Sequence, residues 1–261
     1  MAPDTRHQEQ PSVLRTLNDS ARRLAQLQGA MHASGDGAPD LRAIARELLV
    51  ALEQGSDIAL AAILLNQVAG THAVRHAIET ALLAMLAGHS MQQPHGQLLD
   101  TGIAALALSD HAADTADAAA PGTPEQALVA LASQYCTLVS SRNYLHSALP
   151  DQALQTIFLD RQSDCERLLA QHFMQVLGTY PPGTLVRLRS GELGVVTRRG
   201  ATLIHPLTTP QGVPLSPTEL ARALPRTAGA SAACAIVGAV HESEAQLHFS
   251  MRHVWGDAAR L

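Results

Sequence analysis

The chain has 261 residues, enough for one large domain or a medium domain with an appendage, and its 46% hydrophobic content suits a globular core. With aromatics at only 3%, Leu, Ala and Val must supply that core, which favours closely packed helices and a mainly α fold. A net charge of -5 gives no electrostatic footprint for nucleic acid or an anionic membrane, and the absence of lysine excludes Schiff-base chemistry and a Walker-type phosphate loop.

Residues 1–11 are polar and proline-bearing and read as a disordered amino terminus. Apolar spacing from Val13 through Leu17, Leu24 and Leu27 predicts a helix over about 12–33, which SGDGAPD breaks. Asp40 can cap a second helix carrying Leu41, Ile44, Leu48 and Leu52, and a third is expected from Ser56. Ala59–Val68 and Ala77–Leu86 are apolar nearly all round, as helices at the centre of a bundle are. A further buried helix is expected over 97–109, then a small, polar loop at 111–124, a helix opened by Pro124, and shorter helices over 150–159 and 162–177.

After Tyr180-Pro181-Pro182-Gly183 the pattern alternates, and TLVRLRS, ELGVVTRR and ATLIHPL predict a β meander joined by Ser-Gly and Arg-Gly turns. Further strands are expected at 233–240 and 245–250. The chain thus divides into the N-terminal segment (1–11), N-terminal helices (12–55), a helical bundle (56–179), and a small C-terminal β subdomain with its tail (180–261). Cys136, Cys165 and Cys234 are widely spaced and read as buried thiols, neither a disulfide framework nor a zinc site. No signal peptide and no membrane-spanning run are visible, so the cytoplasm is the expected location and no membrane partner is expected.

Several motifs stand out. Arg75-His76-Ala77-Ile78-Glu79-Thr80-Ala81 resembles the helix bearing the first histidine of the HD-GYP cyclic di-GMP phosphodiesterases, and Gly102-Ile103-Ala104-Ala105-Leu106 resembles the lead-in to their His-Asp pair. Ser140-Ser141-Arg142-Asn143-Tyr144 is similar to the family's Ser-x-Arg-x-Tyr segment. Leu177 to Val186, continuing through Gly191 to Gly200, resembles the carboxy-terminal signature, so the likeness spans roughly 56–205 with interruptions. It implies an HD-domain-like helical bundle.

The resemblance also implies what is missing. Family members hold metal ions between histidines and carboxylates, and a bridging hydroxide attacks phosphorus. Here His76 matches the first histidine, but the His-Asp pair falls on Leu108 and Ser109, the late Asp on Ser133, and the His-His-Glu and Gly-Tyr-Pro segment has no counterpart. The expectation is therefore a catalytically inactive relative with no catalytic residues, no metal and no cofactor. Arg142 and Tyr144 match positions near the nucleotide and could be a binding remnant, with a salt-bridged Arg142 and a packed Tyr144 as the plainer reading.

Alternatives come from other classes. A metal-dependent phosphohydrolase could use His72 and His76, four apart on one helical face, with Asp110 or Asp114. A third reading is homodimerisation through the amino-terminal helix, Val13 to Met31. A protein partner or weak cyclic di-GMP binding is expected for the inactive form, and nucleic acid is not. Alone on an apolar face, His76 reads as a hydrogen-bonded core histidine, the other histidines as solvated surface, and Arg187, Arg189, Arg198 and Arg199 as a solvated basic stripe.

Overall fold

A computed structural model describes residues 12–34, 38–107, 123–140, 147–161 and 163–261, with side chains 30–34, 38 and 39 excluded. The fold is mainly helical, with a small antiparallel sheet near the carboxy terminus. The helices are α1 (Val13–Ser34), α2 (Ala38–Leu64), α3 (His72–Ser90), α4 (His95–Leu106), α5 (Pro124–Val139), α6 (Pro150–Leu159) and α7 (Asp164–Leu177). Local chemistry sets their starts: Thr71 caps α3, Thr123 caps α5 ahead of Pro124, and Ser163 with Glu166 forms a capping box on α7.

The second and third expected helices run end to end and meet at a kink. α2 runs through 38–64 with a break in helical geometry at Gly55 (φ -171°, ψ 71°), and a Cβ there would lie 3.2 Å from Val13 Cγ2. The break at Gly55 coincides with the start expected for the third helix at Ser56. One continuous core joins α1 to α7, including Leu14, Leu17, Leu48, Ile78, Leu83 and Phe173, and the tail returns Met251 and Ala259 to it. The apolar face of α1 is buried in this core, so a dimer formed through that face would have to uncover it.

The β unit has strands β1 (Leu185–Leu188), β2 (Leu193–Arg198), β3 (Leu203–Pro206), β4 (Arg226–Thr227) and β5 (Ile236–Ala239) in the order β4-β3-β2-β1-β5, with every pair antiparallel. The alternation read from the sequence places Leu185 and Val195 on one face and Val186, Leu188, Val196 and Ile204 on the other. Both faces are covered. A short helix α8 (Pro217–Arg222), started by a Ser216–Glu219 capping box, supplies Leu220 to the first face.

The expected strand at 245–250 is absent. His241 caps a short helix α9 (Glu242–Ala245), and Gln246 turns the chain through a left-handed conformation (φ 49°). Leu247 and Phe249 then pack on the first face of the sheet without a ladder partner. Their alternation is a burial pattern, and burial alone does not make a strand. A last helix, α10 (Met251–Trp255), follows, and Trp255 Nε1–H donates to the Thr197 carbonyl at 3.2 Å.

Where bundle meets sheet, Gly183 adopts φ +97°, and a Cβ there would fall 2.8 Å from the Ala61 Cα. The Pro-Pro-Gly turn is thus a contact point between β unit and α2, fixed by backbone geometry. Arg199 clamps the same boundary. Its Nε donates to Asp57 Oδ1 at 2.7 Å, Nη1 to the Val176 carbonyl at 3.1 Å and Nη2 to Ser56 Oγ at 2.5 Å. Arg187 pairs with Glu244 at 3.2 Å, and Arg189 and Arg198 are exposed, so the expected solvated stripe holds for only part of the set. Of the three thiols, only Cys136 is buried.

Candidate functional site

His76 lies on α3, whose helical spacing sets His72, His76, Glu79 and Thr80 along one side, and α5 brings Ser133 and Cys136 against that side. His76 is buried, and its Nε2 is 2.9 Å from Ser133 Oγ. The rings of His72 and His76 stack nearly parallel, with centroids 5.9 Å apart and planes at 13°. Next on α3 comes a feature not singled out from the sequence. Glu79 is 2% exposed, and burial pushes its carboxyl up to about 8, against the opposing pull of the Arg75 guanidinium.

The neighbouring thiol responds to the same surroundings. Burial pushes Cys136 well above its ordinary value, and Glu79 adds to the rise. Tyr135, also buried, meets Phe173 edge-on at 5.8 Å, and its hydroxyl has no hydrogen-bond partner among the described residues. Burial first, then Cys136 and Asp151, raise that phenol. A lone Glu inside the apolar run 77–86 was the available signal for this seam; its protonation follows from packing that the sequence does not display.

Among the described residues no three His, Cys, Asp or Glu side chains converge as they would around a metal ion. Among the described residues, His76 and Ser133 offer an imidazole and a neutral hydroxyl already bonded to each other, and burial raises the pKa of the carboxyl one turn away. Leu108, Ser109, Asp110, His111 and Asp114 lie outside the described residues, as do Arg142 and Tyr144.

A cleft of about 190 Å³ opens between the bundle and the β unit, lined by Leu64, Val139, Ser147, Gly183, His241 and Phe249 among others. His241 Nε2 lies 2.9 Å from Ser147 Oγ, which on distance alone resembles a nucleophile and its base. As the cap of α9, the other ring nitrogen, Nδ1, faces Ser243, 3.3 Å from its backbone N–H and 2.7 Å from its Oγ. The pair ties the two parts of the fold together.

Among the remaining histidines, His205 departs from the solvated reading. His205 is buried, with Nε2 donating to the Leu220 carbonyl at 2.9 Å, and burial lowers its pKa. His172 Nε2 is 2.6 Å from Ser90 Oγ. Among the described residues no helix is long and apolar enough to cross a membrane. Comparison with protein-family models, curated proteins and solved structures returned no match.

Proposed function

We propose that the chain is a non-catalytic regulatory or interaction module on an HD-GYP-like helical bundle, acting through a protein partner or through residual affinity for cyclic di-GMP. One observation carries the reading. The positions matched to the family's first histidine and late aspartate, far apart in sequence, meet across the α3–α5 seam, with His76 Nε2 2.9 Å from Ser133 Oγ. Two positions expected to share a metal are neighbours, yet one now bears a hydroxyl in place of a carboxylate. A hydroxyl carries no charge to balance a divalent cation and bridges two metals poorly, so the hydroxide nucleophile loses its support.

The test has two arms. Purified protein is expected to carry less than stoichiometric iron, manganese or zinc and to leave cyclic di-GMP and a chromogenic phosphodiester intact. One tightly held metal per chain, or turnover of either substrate, would overturn the inactive reading in favour of a phosphohydrolase built around His72 and His76. Titration calorimetry with cyclic di-GMP on wild type and Arg142→Ala separates the remaining possibilities. Heat that is lost in the variant assigns a nucleotide ligand, and no heat from either assigns a protein partner.

A further inference from the structure

Glu79 is a buried carboxyl on α3, the helix that packs against α5. It is 2% exposed on α3, and the thiol of Cys136 on α5, fully enclosed, lies close enough to feel its charge. Arg75, one turn back on α3, is half-buried and does not overcome the cost of desolvation. We propose that Glu79 makes the α3–α5 seam a proton-operated latch, closed while the carboxyl is protonated and loosened once it ionises. This goes beyond the function proposed above and does not depend on it.

The physical basis is the difference between a buried and a hydrated carboxyl. Closed, the group titrates near 8; where the seam opens and water reaches it, it returns to its ordinary 4.5. Below 4.5 both states hold the proton and opening is independent of pH. Between 4.5 and 8 only the closed state holds it, so each pH unit favours opening tenfold. Above 8 both have lost it and the dependence ends. Neutral pH thus lies within the responsive range.

Among the described residues, the following titratable and charged groups lie on the elements around the seam. On its own helix it meets Arg75, with His76 one turn back, and from α5 it meets Cys136. Elsewhere, Arg23 of α1 pairs with Glu47 of α2, Arg42 of α2 pairs with Asp100 of α4, and His172 of α7 bonds to Ser90 at the far end of α3. His205, in the β unit, responds in the opposite direction, because burial lowers its pKa.

Cys136 provides the reporter, since a thiol reagent reaches it only through an opened seam, whereas Cys165 is exposed and Cys234 partly so. With Cys165→Ser and Cys234→Ser in place, the labelling rate of Cys136 is measured on the full chain between pH 6 and 7.5. Thiolate formation alone raises the rate tenfold per pH unit. The latch multiplies this to about a hundredfold per unit, and Glu79→Gln restores tenfold. Equal slopes in the two proteins, or opening that grows as pH falls, would overturn the proposal. Arg75→Gln provides a second check should Glu79→Gln fold poorly. Removing the guanidinium raises the closed-state value, so the hundredfold regime must extend to higher pH; an unchanged limit would also count against the latch.

Discussion

The hydroxyls of the α3–α5 seam contribute unequally. Ser133 is bonded to His76, so Ser133→Ala is expected to cost about 1 kcal/mol, read as a lower denaturant midpoint at unchanged slope. Tyr135 presents the opposite case. Its hydroxyl is buried without a partner among the described residues, so Tyr135→Phe removes a desolvated polar group while keeping the ring on Phe173, and stability should hold or rise by up to about 1 kcal/mol. A loss above about 2 kcal/mol would show that the phenol has a bound partner. The sequence reveals that His76 and Glu79 lie in an apolar helix. It does not reveal that Ser133 closes on one and Cys136 on the other, because those contacts depend on how α3 and α5 cross.

Between elements, the junction of bundle and sheet rests on an arginine and a glycine. Arg199→Ala removes hydrogen bonds to Asp57, Ser56 and the Val176 carbonyl at a partly buried site, an expected cost of about 2 to 3 kcal/mol. Arg199→Lys should recover only part of this, since an ammonium cannot reproduce the planar fork; full recovery would reduce the clamp to a point charge. Gly183→Ala forces a side chain into positive φ and against the Ala61 backbone, and about 2 to 4 kcal/mol should be lost in thermal or denaturant unfolding. Helices were the most legible elements because their apolar spacing and capping residues are local: the expected 150–159 matches α6, and Pro124 opens α5. The tail was less legible. Its short helices depend on single caps such as Ser216 and His241, and the Leu247–Phe249 alternation mimics a strand.

At the scale of the molecule, the two ends of the described chain are interlocked. Ser12 donates to the carbonyls of Ala258 and Arg260, and Met251 and Ala259 join the core that begins at Val13. Removing 251–261 should therefore destabilise the bundle as well as the sheet, by roughly 3 to 5 kcal/mol from lost apolar burial. An unchanged melting temperature would show that the tail only decorates the surface. The change from helical to alternating pattern at the Pro-Pro-Gly turn was legible in the sequence, but no local pattern could show that residues 251–259 complete the first core. Strand β5 behaves likewise: it joins β1 only after the chain has built β2, β3, α8 and β4. During synthesis, then, neither the helical layer nor the sheet can close until residues 236–259 have left the ribosome, and the emerging polypeptide carries open apolar surface until they do.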